Sequence, residues 1–129
     1  MLSYILAILL SIETYFGEIY YSAKIAEEMG VAAEVRLPDE TRCDILTDEY
    51  AYEVEWATKW KEAPGQAVLY SIWTDRKPAI ILLIRNYRNE KLHILRCKMV
   101  CERLNIRLEF YDVNKLEFHD VTKLELNGE

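Results

Sequence analysis

The chain has 129 residues, of which 51% are hydrophobic and 29% are charged, and its formal net charge at pH 7 is -6. The length, without a linker-like stretch, predicts a single domain over residues 1–129 with one αβ core. Three cysteines without a CxxC pair, and only two histidines, argue against a zinc site and indicate a reduced, cytoplasmic protein.

The first twelve residues, MLSYILAILLSI, are as apolar as a signal-peptide core, but no basic residue precedes Lys24. They are also fewer than the roughly 20 residues that a membrane-spanning helix needs. We therefore expect residues 1–17 to form an apolar helical extension that packs on the domain or on another copy, with no membrane contact. The helix-forming pattern runs from Leu2 to Met29, with Gly17 as a candidate break and Gly30 as the C-cap.

Three short β-type runs follow the helix, each bounded by turn-forming residues. They cover Ala33–Leu37, Arg42–Leu46 and Tyr50–Trp56. Their close spacing predicts an antiparallel meander.

The rest of the chain alternates helical and strand patterns. The predicted elements are an amphipathic helix at Trp60–Trp73 with Pro64 near its first turn, a buried strand at Ala79–Ile84, a helix at Asn89–Leu104 and a strand at Ile106–Tyr111. The order is α-β-β-β-α-β-α-β, which indicates an α/β (α+β) fold with a mixed central sheet flanked by helices. The tail, residues 113–129, repeats VNKLEFHD as VTKLELNG and predicts a hairpin or an edge strand, with dimerisation through that strand as the alternative.

Three carboxylates stand on two neighbouring strands of the predicted meander. Glu53 and Glu55 share one face of their strand because side chains alternate, and Asp44 on the preceding strand can reach the same place. Magnesium prefers hard oxygen ligands and keeps several waters. Asp44, Glu53 and the backbone carbonyl of Val54 are therefore the candidate ligands of Mg²⁺, for which Mn²⁺ can substitute, and Glu55 is a further candidate.

Five short motifs accompany these acids in order: RxD at 42–44, EVE at 53–55, KW at 59–60, EAxGQ at 62–66 and QxxxY at 66–70. With them, the segment from Glu18 to Tyr111 resembles the PD-(D/E)xK nuclease superfamily, whose restriction-endonuclease-like core has a similar element order. The resemblance implies that Asp44 and Glu53 are the metal-binding acids. The family normally places a lysine where this chain has Glu55, and the chain is similar to members, often from phages, in which that lysine has moved toward the next helix. Lys59 matches the moved lysine.

Further positions take roles from the same resemblance. Lys61 is the second choice for the catalytic lysine. Gln66 and Tyr70 match the QxxxY pattern of RecB-type nucleases, in which a glutamine amide holds a phosphate or a metal-bound water. Glu18, on the first helix, stands where the family carries an acid that turns toward the active site.

The basic residues concentrate in one third of the chain. Residues 76–107 contain nine Lys and Arg against two Asp and Glu, a local net charge of +7. Basic residues that contact phosphates bind DNA whatever its sequence. The DNA-binding candidates are Arg76, Lys77, Arg85, Arg88 and Lys91, and the alternative is that these charges are solvated faces.

Together these patterns predict a magnesium-dependent DNA endonuclease. A structure-selective enzyme that is Holliday-junction-resolvase-like leads, because no additional DNA-reading element is visible, and a homing or restriction-type enzyme follows. One site per chain cuts one strand, so we expect a homodimer or larger assembly, in the host cytoplasm if the protein is viral. The alternative is a catalytically inactive nuclease-fold module for DNA binding or assembly.

Overall fold

A computed structural model describes residues 1–121 of the chain. Within them the elements are, in order, α1 (Leu2–Met29), β1 (Ala32–Arg36), β2 (Arg42–Leu46), β3 (Tyr50–Trp56), a 3₁₀ helix (Ala57–Glu62), α2 (Ala63–Thr74), β4 (Lys77–Ile84), α3 (Tyr87–Leu104), β5 (Arg107–Asp112) and β6 (Glu117–Asp120). The predicted order is confirmed, with the 3₁₀ helix in addition, and β6 is the edge strand predicted for the tail. The second copy of the tail repeat, from residue 122 onward, lies outside the described residues.

The strands form one six-stranded sheet in the order β1-β2-β3-β4-β5-β6. β1, β2 and β3 pair antiparallel as predicted, β3, β4 and β5 pair parallel, and β6 returns antiparallel to β5. The two parallel connections run through α2 and α3 and advance across the sheet in the same direction. Right-handed crossovers place two such helices on the same face. α2 and α3 therefore cover one face of this mixed sheet, and α1 covers part of the other face.

Each face of the sheet has its own core. Tyr52, Val54 and Trp56 of β3 pack with Ile25 and Ala26 of α1. The opposite face of β4 carries a second cluster, which is made with residues of α2, α3 and β5 and includes Ile80, Leu82, Ala67, Ile94 and Phe110. From Ala79 to Ile84, β4 is aliphatic because it is buried on both sides.

Helix α1 is continuous over 28 residues and ends at Gly30, whose φ of 68° is the expected left-handed C-cap. Gly17 does not break it. A Cβ atom at Gly17 would lie 2.9 Å from the Trp56 ring, so glycine is what allows the helix to approach β3. Trp56 Nε1 also donates a hydrogen bond to the Thr14 carbonyl at 3.0 Å, which anchors the second half of α1 to the sheet.

The first half of α1 is different, because residues 2–13 are all exposed to solvent. Residues 2–13 of the predicted extension thus do not pack on the domain within residues 1–121, whereas Thr14 and Gly17 lie against Trp56. As a whole, α1 is long and apolar enough to cross a membrane by length and composition alone. Packing on another copy stays a prediction.

The predicted helix at Trp60–Trp73 begins differently from the expectation. A 3₁₀ helix takes up Ala57–Glu62, and Lys59 within it has non-helical backbone angles of φ -112° and ψ 23°. α2 then starts at Ala63, so Pro64 falls in its first turn, where the missing N–H costs little. The 3₁₀ helix links the end of β3 to α2 and carries both lysines of the KWK segment.

Candidate active site

The site begins where strands β2 and β3 separate. Their backbone pairing is regular at Leu46 with Ala51 and at Ile45 with Tyr52. At the next position the Asp44 carboxylate accepts a hydrogen bond from the Val54 N–H at 2.7 Å. This side-chain hydrogen bond replaces a backbone hydrogen bond between the two strands. The side chains of Asp44 and Glu53 are in hydrogen-bonding contact there.

Glu53 is buried, with 4% of its surface exposed, and lies against the side chains of Asp44 and Tyr70. Its Oε2 atom is buried without a hydrogen-bond partner. A buried carboxylate oxygen without a partner is costly, and a cation or a proton offsets that cost. Glu53 thus marks a position in the cleft where a cation or a proton is required.

Glu55, two residues further along β3, is also buried and faces the same side. Its Oε1 atom accepts the Trp56 N–H at 2.9 Å. Its carboxyl group is in hydrogen-bonding contact with Glu18, which α1 brings in from across the end of the sheet. The anchoring of α1 on Trp56 therefore positions Glu18 beside Glu55.

The lysine and the glutamine of the predicted site lie at its rim. Lys59 is exposed on the 3₁₀ helix and lowers the pKa of Glu18 by its positive charge, although burial raises that pKa overall. Gln66 on α2 accepts a hydrogen bond from the Tyr70 hydroxyl at 2.9 Å through its Oε1 atom. The buried Tyr70 therefore fixes the orientation of the Gln66 side-chain amide.

These residues line one cleft of about 360 Å³. Its walls are formed by Tyr15, Glu18, Ile19, Glu34, Arg42, Asp44, Glu53, Glu55, Lys59, Glu62, Gln66 and Tyr70. The first-choice side chains that the sequence proposed for catalysis or metal binding therefore lie in a single cleft, namely Glu18, Asp44, Glu53, Glu55, Lys59 and Gln66. Lys61, the second choice for the catalytic lysine, lies outside it in a neighbouring groove.

Glu34 of β1 is a cleft residue that the sequence reasoning did not select. β1 pairs with β2 through Ala33 with Ile45 and Val35 with Cys43, which places Glu34 across from Asp44. Glu34 has a φ of 51°, unusual for a residue with a side chain. The signal that could have found it is an acid between the apolar residues Ala33 and Val35, the same pattern that marked Asp44.

The crowding of acids shifts their titration upward. Burial, and then the charge of Asp44, raise the pKa of Glu53 to about 10. Burial raises the pKa of Asp44 to about 7 against the lowering effect of the Val54 hydrogen bond. Burial and the contact with Glu18 raise the pKa of Glu55 to about 9. The cleft therefore retains protons at neutral pH unless a cation replaces them.

The donor set fits a hard cation in part. Among residues 1–121, no three His, Cys, Asp or Glu side chains are arranged so that together they hold a metal ion. Asp44 and Glu53 nevertheless provide two adjacent carboxylates, one with an oxygen lacking any partner. Magnesium accepts such a set when backbone, water and substrate oxygens complete it.

The DNA-binding candidates do not form one surface. Arg76 and Lys77 lie where β4 begins, and Lys77 pairs with Glu49 at 3.2 Å. Arg85 lies beyond the other end of β4, and its guanidinium stacks on the Trp56 ring at 3.6 Å. Arg88 and Lys91 are in the first turns of α3, at that same end. β3 and β4 run parallel, so both strands finish at the same end of the sheet. Arg85 therefore lies at the end where Glu55 and Lys59 are also found.

No family model matches the chain, and no solved structure matches it. Two proteins of Acanthamoeba polyphaga mimivirus, both named for a KilA-N domain, are similar over part of it. One is 33% identical over 69 residues, which are 54% of this chain and 18% of that protein. The other is 32% identical over 71 residues, which are 55% of this chain and 28% of that protein. The matched segment thus spans less than a third of either relative.

Proposed function

We propose that the cleft is the catalytic centre of a small magnesium-dependent DNA endonuclease that hydrolyses phosphodiester bonds. One observation carries the proposal. Two adjacent carboxyl groups, Asp44 and Glu53, share a cleft with Lys59, and Glu53 holds a buried oxygen without a partner. Such an arrangement destabilises the metal-free fold, and a bound divalent cation offsets that cost.

The predicted site residues have the following roles under this proposal. Asp44 and Glu53 hold Mg²⁺, or Mn²⁺ in its place, with the Val54 carbonyl as a third protein ligand. A bound divalent ion lowers the pKa of its water and offsets charge on the phosphate. Lys59 neutralises the charge that develops on the phosphate, and Gln66, oriented by Tyr70, holds a phosphate oxygen or a water. Glu55 and Glu18 form a second carboxyl pair beside the first.

The substrate under this proposal is branched DNA of the Holliday-junction type, and homing or restriction-type cleavage is the other nuclease alternative. Two chains supply the two cuts that a duplex or junction needs, so the active form is a homodimer or larger. Both relatives come from a virus, which supports a viral origin, and a viral protein of this kind would act in the host cytoplasm.

A catalytically inactive module for DNA binding or assembly is the second candidate. It is favoured by Glu55, an acid at the position where the resembling nucleases carry lysine. It is also favoured by the absence, within residues 1–121, of three side chains arranged around one metal position.

Calorimetric titration with magnesium or manganese, combined with a cleavage assay, separates the two candidates. The assay uses branched, nicked, linear duplex and single-stranded DNA, with either metal or with a chelator. We expect metal binding and metal-dependent cleavage of branched DNA. Asp44→Ala and Glu53→Ala should abolish both while DNA affinity stays the same or rises, since each removes a negative charge from the phosphate path.

Asp48→Ala is the matched control, because Asp48 is an exposed acid in the turn between β2 and β3. It should bind metal and cleave like the wild-type protein. Absence of metal binding in the wild-type protein would exclude the endonuclease and leave the inactive module.

A further inference from the structure

A second concave surface adjoins the cleft between the 3₁₀ helix and α3. This groove, which we call the 3₁₀–α3 groove, has a volume of about 440 Å³. Lys59, Trp60 and Lys61 form one wall, and His93 and Arg96 of α3 form the other. Lys59 and Glu62 line both the groove and the cleft, so the two surfaces are contiguous.

The charge of the groove is opposite to that of the cleft. Lys59, Lys61 and Arg96 are opposed within it by Glu62 as the one acid among its lining residues. Within residues 1–121, none of the ion pairs involves Lys61 or Arg96. Two cations without a carboxylate partner on a concave surface attract an anion, and screening in solution confines that attraction to nearby groups.

The groove also contains an aromatic ring. Trp60 is half-buried and packs against the core under α3, which fixes its orientation. The ammonium group of Lys61 lies 6.0 Å from the centre of that ring. A fixed aromatic ring beside cations is the combination with which proteins bind single-stranded nucleic acid, because bases stack on the ring while phosphates contact the charges.

We propose that the 3₁₀–α3 groove binds an unpaired DNA strand that continues from the phosphate in the cleft. Lys61 and Arg96 contact successive phosphates, and a base stacks on Trp60. This inference deepens the proposed function and rests on it for the position of the cleaved phosphate. It assigns the strand path to the 3₁₀ helix and the middle of α3, whereas the sequence placed DNA contacts at Arg76, Lys77, Arg85, Arg88 and Lys91. It also predicts a preference for substrates with unpaired or branched segments.

The test measures the affinity of the full chain for a short labelled single-stranded oligonucleotide at several salt concentrations, with a chelator present. The chelator makes the result independent of metal binding in the cleft. The variant is Lys61→Glu combined with Arg96→Glu. We expect weaker binding and a slope of log affinity against log salt that is smaller by about 1.4, at about 0.7 for each phosphate contact to a single strand.

The control is Lys61→Glu combined with Arg103→Glu, which changes the net charge equally. Arg103 is on α3 seven residues beyond Arg96, about 10.5 Å along the helix axis, and does not line the groove. It should lose only the contact made by Lys61, so its slope should fall by about half as much. Circular dichroism spectra of both variants check that they are folded.

The possible results separate this inference from the proposed function. Equal slopes for the test variant and the wild-type protein, or no binding by the wild-type protein, would overturn the groove assignment even if the protein cleaves DNA. A reduced slope supports the groove even if cleavage is absent. Trp60→Phe, which keeps an aromatic ring, should bind more tightly than Trp60→Leu, and equal affinities would refute the stacking contact.

Discussion

Replacing Glu53 with glutamine should stabilise the metal-free protein, and the gain should increase with pH. Glu53 is buried beside Asp44, and its pKa is raised from the ordinary value of 4.5 to about 10. Between these values the folded protein holds a proton that the unfolded chain has released. The contribution of Glu53 to stability is therefore fully present below pH 4.5 and is lost as the pH rises toward 10.

The magnitude follows from the pKa shift. Each pH unit above 4.5 costs about 1.36 kcal/mol, so at about pH 7.5 the penalty is about 4 kcal/mol. Glutamine has the same shape, stays neutral and can donate a hydrogen bond to Asp44 as the protonated acid does. The variant should therefore gain about 4 kcal/mol over the wild-type protein at that pH, and almost nothing near pH 4.5.

Urea unfolding with a chelator, followed by circular dichroism at several pH values, measures this gain. Glu27→Gln is the control, because Glu27 is exposed near the end of α1 and its substitution should leave stability nearly unchanged at every pH. Adding magnesium should stabilise the wild-type protein and have little effect on Glu53→Gln. If the wild-type and Glu53→Gln stabilities run parallel with pH, Glu53 is not held in a site that requires a cation, and the reasoning fails.

Three further predictions concern the lysines, the helix contact and the basic residues. Lys59→Ala should lower the cleavage rate by about 2–4 kcal/mol of barrier stabilisation without loss of metal binding, and Lys61→Ala should be milder; the reverse order in single-turnover kinetics would assign the role to Lys61. Gly17→Ala should destabilise the protein by about 1–3 kcal/mol in urea unfolding, because the new Cβ would lie 2.9 Å from the Trp56 ring; unchanged stability would mean that α1 is not held there. Arg85→Glu should weaken duplex binding equally for all sequences and lower the salt slope by about 0.9; an unchanged slope would place Arg85 away from the DNA path.

Strands β2 and β3 were predictable to the residue because each is a β-type run between turn-forming residues. The bounds Arg42–Leu46 and Tyr50–Trp56 match the structure. The alternation along β3 was predictable too, with Val54 and Trp56 packing under α1 while Glu53 faces the cleft. Local pattern fixes these features, and tertiary contacts do not change them.

Glu34 and Lys59 show what the sequence could not provide. An acid between Ala33 and Val35 could have marked Glu34 as a candidate, but its place in the cleft depends on the register between β1 and β2 and on its left-handed backbone, which have no local signal. Lys59 lies on a 3₁₀ helix with non-helical angles, although the sequence placed the start of a regular helix one residue later, at Trp60. A pairing register and a tight connection depend on where distant elements pack, so a local pattern cannot predict them.

The first helix connects the stability of the fold to the chemistry of the cleft. Trp56 directly follows Glu55 on β3, and it holds α1 through the contact at Gly17 and the hydrogen bond to the Thr14 carbonyl. The next residue of α1 after Gly17 is Glu18, whose contact contributes to the raised pKa of Glu55. The contacts that dock the helix therefore also bring Glu18 next to Glu55 and form the second carboxyl pair. Any ligand or partner that displaces the second half of α1 also removes Glu18 from the cleft, whereas contacts made by its exposed first half leave the site intact.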